Sequence, residues 1–172
     1  IKRPFFYPSN KFIIIGHRGA PTIYKENTIE SFIKAFELGL NGVELDVQIT
    51  KDNKIVIFHD WYILDKNNEN AKQINNINYS EIADSSYSNS KIPLLNDLLK
   101  VIPKNKFVNI KIKSKKINNY LILKEILKIV YEHNKKESII ISSFNPFVLK
   151  LLQKIAPTIH TAYLWSSKDP LL

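Results

Sequence analysis

The sequence predicts an α/β fold in which a parallel sheet is flanked by helices. Short apolar and β-branched runs alternate with segments of helical periodicity along most of the 172 residues, which is the pattern of repeated strand–helix units. The first run, residues 12–15, is continuously apolar, as in a strand buried on both faces of a parallel sheet. No G-x-G-x-x-G sequence is present, so a dinucleotide-binding fold is not indicated.

After the first strand, the sequence predicts a helix and then a hairpin. The helix spans residues 28–38 and ends at Gly39, because its apolar side chains recur at helical spacing up to that glycine. Residues 43–49 alternate and are rich in β-branched side chains, which is typical of a strand. The polar turn at residues 51–54 then returns the chain as a further strand over residues 55–58.

The second half of the chain predicts a regular alternation of helices and strands. Residues 61–91 are rich in Asn, Ser and Tyr, and they predict a loop with short helical pieces that is long enough to cover a site. Pro93 suits the first turn of the helix that follows. The predicted elements are a helix over residues 94–102, a strand over 107–112, a helix over 120–131, a strand over 138–142, a helix over 146–155 and a strand over 160–165. The sequence therefore predicts five main strands besides the hairpin return.

Composition indicates a globular protein with one core. Hydrophobic residues make up 44% and charged residues 24% of the chain, as in ordinary soluble domains. No apolar run approaches the roughly 18 residues that span a bilayer, and no signal-peptide pattern stands at the start, which favours the cytoplasm. The chain has no Cys, which excludes disulfides and thiolate metal sites. Because it begins at Ile1 and has no Met, we expect a fragment, a processed chain or a trimmed one.

The net charge of +9 is a property of the whole composition rather than of one patch. Lys, Asn and Ile are abundant everywhere, as in proteins from AT-rich genomes, and the lysines are scattered apart from short pairs such as Lys115-Lys116. We therefore expect no nucleic-acid partner. The sequence does not indicate an oligomeric state.

Side chains suited to catalysis stand at the ends of predicted strands. His17 and Arg18 follow the first strand, His59 and Asp60 end the hairpin return, and Lys113 ends the third main strand. Because the carboxyl ends of parallel strands converge on one edge, where barrels of this class build their active sites, we expect these groups to lie together.

A pair of carboxylates lies within the second strand. Glu44 and Asp46 are two residues apart, so their side chains point to the same face. Two carboxylates on an inward face are costly to bury unless they are paired or bound to a cation. A hard divalent ion is their natural partner, and we predict a metal site there.

These groups together suit a hydrolase that acts on a negatively charged ester with a divalent metal. Arg18 and Lys113 can bind phosphate oxygens. Histidine titrates near neutral pH, so His17 and His59 suit the roles of general acid and general base. A metal on the carboxylates would neutralise charge and hold a hydroxyl. Which histidine accepts the proton first is left open.

The remaining polar residues that drew attention have simpler interpretations. Asp60 is expected to orient a histidine or its loop rather than to bind metal. His133 and His160 are expected to be structural. Ser142 and Ser143 lack a G-x-S-x-G context, so a serine hydrolase is not indicated.

Four short motifs in the first third of the chain occur in the order of a known family. They are Gly16-His17-Arg18-Gly19-Ala20, Glu26-Asn27-Thr28, Glu44-Leu45-Asp46 and His59-Asp60. Weaker matches follow at Leu64-Asp65-Lys66, Ile92-Pro93-Leu94-Leu95, Asn109-Ile110-Lys111-Ile112-Lys113 and Ser142-Ser143-Phe144. Over about residues 12–165, the chain resembles the glycerophosphodiester phosphodiesterase family.

The resemblance implies a (β/α)8 barrel of the TIM type, a fold that typically takes about 250 residues. This chain would hold about five βα units and the hairpin insertion, without the C-terminal strands. Residues 1–11 would form an N-terminal extension, and residues 12–172 the N-terminal portion of the barrel.

The resemblance also implies an activity and a set of site residues. The activity is hydrolysis of glycerophosphodiesters to an alcohol and sn-glycerol 3-phosphate, with Mg or Ca on Glu44 and Asp46. His17 and His59 would be the acid–base pair. Glu26 would lie close to the site, or would be a helix-start acid beside Asn27 as the cap, and both interpretations stay open.

The chain departs from the family at Lys111, where the family has a glutamate that completes the metal site. Lys111 shares a strand face with Lys113 and should also point inward. A protonated ammonium cannot ligate a metal and repels it. Three outcomes are open: weaker metal binding, replacement of the metal by Lys111, or a catalytically silent module that binds anions through Arg18, Lys111 and Lys113. A related phospholipase acting on choline lipids would need a membrane-facing apolar rim, which the sequence does not show.

Overall fold

The computed structural model describes residues 12–64, 70–83 and 91–166 of the chain. The strands are β1 (Ile15–His17), β2 (Gly42–Ile49), β3 (Ile55–Ile57), β4 (Tyr62–Leu64), β5 (Ala71–Gln73), β6 (Phe107–Ile112), β7 (Ile139–Ser143) and β8 (His160–Tyr163). The helices are α1 (Ile29–Glu37), α2 (Tyr79–Ala83), α3 (Leu95–Val101), α4 (Tyr120–Glu132) and α5 (Pro146–Ile155). Two single 3-10 turns lie at Ile74–Asn76 and Lys136–Ser138.

Five parallel strands form the central sheet in the order β1-β2-β6-β7-β8. The predicted parallel sheet with five main strands is therefore confirmed. Within the described residues the sheet is open, because β1 and β8 have no strand beyond them. Residues 1–11, expected to be an extension, lie outside the described part of the chain.

The edge of β2 is shared by two strands that run in opposite directions. β1 pairs in parallel with the first half of β2, with His17 opposite Glu44. β3 pairs antiparallel with the second half, and beyond it the Phe58 amide donates to the Asp46 carbonyl at 2.9 Å. The carboxyl ends of β1 and β3 thus face each other along β2, and the residues that follow each strand leave the sheet at the same place.

The two faces of the sheet differ in polarity. One face is apolar and packs against α1, α3, α4 and α5 to form the main core, with residues such as Leu45, Ile110 and Ile141 fully buried. Side chains on the opposite face are largely polar. In register they include Glu44 with Asn109, and Asp46 with Lys111 and Ser142. Strand parity therefore separates the core from the candidate site.

The helices follow their apolar periodicity closely. The predicted helix over residues 146–155 is confirmed without change, and α1 begins one residue after its predicted start because Thr28 is the N-cap. The expectation of Asn27 as the cap was wrong. Asn27 has a left-handed backbone with φ 58, whereas Thr28 has the extended backbone of a cap and accepts from the Ser31 amide at 3.3 Å.

The first strand begins later than predicted. Residues 12–14 precede β1, and the Phe12 side chain is 95% exposed rather than buried. The Ile14 amide donates to the side-chain oxygen of Asn41 at 2.8 Å, so its hydrogen bond goes to a loop and not to a neighbouring strand.

Two other predicted boundaries also differ from the structure. β8 ends at Tyr163 rather than at residue 165. Pro93 precedes Leu94, the N-cap of α3, instead of standing in the first turn of the helix.

A small second cluster covers the outer side of β3. The β4–β5 hairpin, α2 and the turn before it pack around buried Val56, Ile63, Ile74, Ile77 and Ile82. The sequence predicted a loop with helical pieces here and missed the hairpin, because three-residue strands are too short to show a period. Asp65 and Lys66, part of one weak family match, lie outside the described residues.

The loop after β1 is tightly packed against α1. The Gly19 amide donates to the Gly16 carbonyl at 3.2 Å, and Ser31 Oγ accepts from the Ala20 amide at 2.8 Å. Gly19 has φ +96, and a Cβ there would collide with Ser31. The bend thus requires a glycine, and it directs the Arg18 side chain back over β2.

None of the helices in the described part of the chain has the length and apolar character needed to span a membrane.

We expect Gly19→Ala to destabilise the fold by about 2–5 kcal/mol, the sum of backbone strain and overpacking. The matched control is Gly39→Ala, where φ is +87 but a Cβ would meet nothing within 4 Å. That control should lose only about 1–2 kcal/mol of backbone strain. Urea unfolding of both variants measures the difference, and equal losses would show that the contact with Ser31 does not constrain the loop.

Candidate active site

Arg18 links the loop after β1 to the approach of α1 and to the centre of β2. Its Nη1 donates to both carboxylate oxygens of Glu26, at 2.8 and 3.0 Å. Its Nε lies 3.1 Å from Asp46 Oδ2, and the side chain is only 16% exposed. Glu26 lies before α1, which begins at Ile29, so it is not an acid of the first helical turn. Arg18 is thus held between two carboxylates rather than pointing freely at solvent.

Asp46 is the most buried charged side chain of the arrangement, with no exposed surface. Its Oδ2 accepts from Asn27 Nδ2 at 3.3 Å, and its backbone amide donates to Asn27 Oδ1 at 3.4 Å. Asn27 therefore binds both the carboxylate and the backbone amide of Asp46. Sequence reasoning missed this role. The signal was its place in the Glu26-Asn27-Thr28 motif, for which both a place close to the site and helix capping had been left open.

Lys111 points inward, as its strand parity predicted. It lies opposite Asp46 on β6, and its Nζ is 2.9 Å from Asp46 Oδ1 and 3.7 Å from Glu44 Oε1. The side chain is 15% exposed. The ammonium therefore lies against both members of the carboxylate pair.

The two carboxylates of β2 differ in their electrostatic environment. Burial, together with the charge of Asp46, raises the pKa of Glu44 above its ordinary value, against the opposing effects of Lys111 and His17. Burial alone would also raise the pKa of Asp46. However, contacts with Lys111, Asn27 and Arg18 outweigh burial, so the pKa of Asp46 is lowered. Asp46 thus carries the charge that the two cations neutralise, while Glu44 is less well compensated.

The two histidines reach this region from opposite directions along the edge of β2. His17 Nε2 lies 3.7 Å from Glu44 Oε2, and its side chain is 66% exposed. His59 Nδ1 lies 2.8 Å from Asp60 Oδ1, and its side chain is 33% exposed. Each imidazole thus has a carboxylate on one nitrogen and is accessible from solvent. The Asp60 contact is the one expected of a carboxylate that orients a histidine.

Gln48 fastens the His59 segment to β2. Its Nε2 donates to the carbonyls of Phe58 and Asp60, at 3.0 and 2.7 Å, so one side chain bridges both sides of His59. Sequence reasoning missed this positioning residue. Its signal was the continuation of the same-face series that begins with Glu44 and Asp46.

Lys113 stands at the end of β6 beside an aromatic ring. Its Nζ lies 5.1 Å from the centroid of the Trp61 ring, and Lys115 Nζ lies at the same distance from that ring. Burial lowers the pKa of Lys113, and the charges of Asp46 and Asp60 act against this effect. The site therefore has a third cation, Lys113, and unlike Arg18 and Lys111 it forms no close ion pair among the described residues.

The other polar candidates lie away from this constellation or serve the fold. His133 caps α4, and its Nε2 lies 2.9 Å from Asn96 Oδ1. Ser143 Oγ donates to the Ile112 carbonyl at 2.9 Å on the apolar side of the sheet. Ser142 lies on the polar face in register with Lys111. His160 begins β8, which is separated from the carboxylates on β2 by two strands, β6 and β7.

The side chains as arranged do not fit the divalent metal that the sequence led us to expect. Within the described part of the chain, no three His, Asp or Glu side chains are grouped to hold a metal ion. Both Asp46 oxygens lie beside cations, Oδ1 beside Lys111 and Oδ2 beside Arg18. A dication would therefore have to displace the Lys111 ammonium or the Arg18 guanidinium from Asp46 before that carboxylate could ligate it.

Comparison with known proteins adds an independent finding. Residues 17–172 match the model of the glycerophosphoryl diester phosphodiesterase family. The chain is 35% identical to a glycerophosphodiester phosphodiesterase of Caldanaerobacter subterraneus subsp. tengcongensis, over 90% of this chain and 67% of that protein. It is also 35% identical to a Bacillus subtilis protein, YqiK, of which it covers 66%. The chain thus spans about two thirds of the length of these relatives.

Solved structures show the same fold. The chain superimposes on a glycerophosphodiester phosphodiesterase of Thermotoga maritima with a TM-score of 0.73 and 32% identity, covering 92% of this chain and 65% of that one. It matches an Oleispira antarctica phosphodiesterase, solved with the product sn-glycerol-3-phosphate, with a TM-score of 0.79 and 25% identity. That match covers 92% of this chain and 68% of the other. The predicted TIM-barrel class is therefore confirmed, and the described strands form an open part of it.

We expect Asp46→Asn to cost about 3–5 kcal/mol, because it leaves buried Lys111 and Arg18 without their shared counter-charge. The matched control is Glu37→Gln, which removes an exposed carboxylate 3.1 Å from Lys34 and should cost less than about 1 kcal/mol. Denaturant unfolding at pH 7 measures both. Similar small losses would show that Asp46 is not the charge that holds Arg18 and Lys111.

The pH dependence of stability should change in the same variant. A carboxyl whose pKa is lowered by folding stabilises the native state above its unfolded pKa, and that contribution is lost as the pH falls through the folded value. Since the pKa of Asp46 is lowered from 3.8, the parent chain should lose stability below about pH 4. Asp46→Asn should lose less over that range. Parallel pH curves for the two proteins would contradict the assignment.

Proposed function

Because the chain belongs to the glycerophosphoryl diester phosphodiesterase family, we propose that it hydrolyses a glycerophosphodiester to an alcohol and sn-glycerol 3-phosphate. The observation that supports the proposal is the meeting of β1 and β3 on one edge of β2: β1 ends at His17 opposite Glu44, and His59 follows β3, which ends at Ile57 opposite Val47. The relative solved with sn-glycerol-3-phosphate supports the choice of product.

The proposed chemistry needs a base and an acid on two sides of the phosphorus. An oxygen nucleophile attacks phosphorus while one imidazole takes its proton, and the phosphorus–oxygen bond to the alcohol breaks as the other imidazole protonates the leaving oxygen. In the net reaction, water supplies the new hydroxyl and proton. An in-line displacement requires the attacking and leaving oxygens on opposite sides of phosphorus, and His17 and His59 approach from opposite directions along the edge of β2.

Carboxylates orient both imidazoles in this proposal. Asp60 lies on Nδ1 of His59, which leaves Nε2 for proton exchange with substrate. Glu44 lies on Nε2 of His17, which assigns the exchange to Nδ1 or requires the ring to turn when substrate binds. Gln48 keeps the His59 segment against β2, and we assign it a positioning role.

We propose that Lys113 is the main phosphate-binding residue and that Lys111 contributes to a lesser extent. Arg18 was expected to bind phosphate, but its guanidinium is held by Glu26 and Asp46. We therefore assign Arg18 the task of fixing the two acidic residues. Lys113 faces the region from the end of β6 beside Trp61, and its ammonium can approach a phosphate as a point charge.

A second candidate function is a catalytically silent module that binds phosphate esters. The observation that favours it is Lys111, which fills the carboxylate pair where the family's metal site would be. The presence of both histidines, each with a carboxylate partner, favours the enzyme instead. No turnover of any glycerophosphodiester by the chain, with retained binding of sn-glycerol 3-phosphate, would support the silent module.

If the chain is active, His17→Ala and His59→Ala should each lower kcat by about 10²–10⁴-fold, the range for loss of a general acid or base. His133→Ala is the matched control, because His133 contacts Asn96 at the end of α4 rather than the site. It should leave kcat unchanged. The measurement is the release of sn-glycerol 3-phosphate from glycerophosphodiesters, with circular dichroism as a check on folding. Equal losses at all three histidines would indicate folding defects and contradict an acid–base pair.

A further inference from the structure

We propose that the Lys111 ammonium takes the position between Glu44 and Asp46 that a divalent cation would otherwise occupy. The site then binds a phosphate ester without any bound divalent metal. The second part rests on the proposed function, because it concerns the same site and the same class of ligand. The first part depends on the geometry of β2 and β6 alone.

The contacts of Lys111 match those of a resident cation. Its Nζ lies 2.9 Å from Asp46 Oδ1 and 3.7 Å from Glu44 Oε1. Both carboxylates are 10% exposed or less, and the Lys111 side chain is 15% exposed. The ring of Phe144 lies 5.9 Å from the same ammonium, so an aromatic face adds to its surroundings.

The register of the sheet determines that Lys111 lies on the same face as Asp46 and directly opposite it. Asp46 pairs with Lys111 across β2 and β6, and both side chains point to the polar face. A parallel ladder continues on each side of this pair, from Gly42 with Phe107 to Val47 with Ile112. Lys111 therefore cannot leave the face that holds Asp46 without a change of strand register.

The local charges balance without a metal. Glu26, Glu44 and Asp46 supply three negative charges, and Arg18 and Lys111 supply two positive ones in direct contact with them. Lys113 adds a third cation nearby. A dication entering beside Lys111 would be repelled at a separation of a few ångströms, in an environment where charges are poorly screened.

The same ammonium can serve an anion. Lys carries three N–H donors, and the Lys111 ammonium forms ion pairs with Asp46 at 2.9 Å and Glu44 at 3.7 Å in this arrangement. The pair of Lys111 and Lys113 on one strand face therefore presents positive charge to a phosphate that approaches the histidines.

Divalent binding tests the first part directly. Calcium and magnesium are titrated by calorimetry into the unmodified chain after chelator treatment, and into Lys111→Glu. We expect no saturable binding to the unmodified chain up to about 1 mM, the weak end of protein calcium sites. Lys111→Glu should bind at least about tenfold more tightly, because it adds a third carboxylate. Saturable submillimolar binding by the unmodified chain would overturn the proposal, whether or not Lys111→Glu folds.

Lys150→Glu is the matched control for charge. Lys150 is exposed on α5, which packs on the apolar side of the sheet, and the substitution changes the net charge by the same amount. It should leave divalent binding unchanged from the unmodified chain. If Lys150→Glu gains binding as Lys111→Glu does, overall charge rather than the site explains the gain, and the proposal fails.

Anion binding tests the second part. Inorganic phosphate and sn-glycerol 3-phosphate are titrated into each protein in the presence of a chelator. The unmodified chain should bind, Lys111→Gln should lose at least about fivefold in affinity, and Lys150→Glu should be unchanged. Unchanged affinity in Lys111→Gln would remove Lys111 from the anion site. Because these experiments measure binding, absent turnover with the expected binding pattern would defeat the proposed hydrolysis and leave this inference standing.

Discussion

The burial of Asp46 at the centre of the sheet is the constraint on which the rest of the site depends. A carboxylate with no exposed surface must be neutralised and hydrogen bonded, or it would not remain ionised. Arg18, Lys111 and Asn27 meet that requirement from three different elements. Each of these groups in turn fixes a piece of backbone: the loop after β1, the strand β6 and the turn before α1. The ionised Asp46 is therefore a structural centre as well as part of the candidate site.

One edge of β2 is divided between β1 and β3, and this division determines where the two histidines leave the sheet. A continuous strand beside β2 would cover the whole edge, whereas β1 and β3 cover half each and stop where they meet. His17 and His59 occupy the two chain ends at that junction. Gln48 and the glycine-dependent loop hold the two ends in place. The backbone thus supplies proximity, and the carboxylates beside each imidazole supply orientation.

The position of Lys111 determines how the carboxylate pair of β2 is neutralised. Family membership and the common fold lead to the expectation of a divalent ion, but the carboxylate pair already has a cation covalently attached to the neighbouring strand. An ammonium can neutralise the pair and attract a phosphate. It cannot activate water as a metal does, so any catalysis would rest more heavily on the two histidines. Burial favours a raised pKa at both carboxyls, and only at Asp46 do Lys111, Asn27 and Arg18 outweigh it, so the pKa of Asp46 is lowered while that of Glu44 is raised.

The sequence by itself determined the order of helices and strands, the parity that places Glu44, Asp46 and Lys111 on one face, and the strand-end positions of both histidines. These are local properties, set by the periods of the helix and the strand. Only the tertiary structure decided that Arg18 turns inward to Glu26 and Asp46, that Asn27 holds Asp46 instead of capping α1, and that β4 and β5 form a hairpin. It also decided that β1 and β3 share one edge of β2. These features depend on contacts between residues far apart in the chain, where burial, register and charge compensation outweigh local preference.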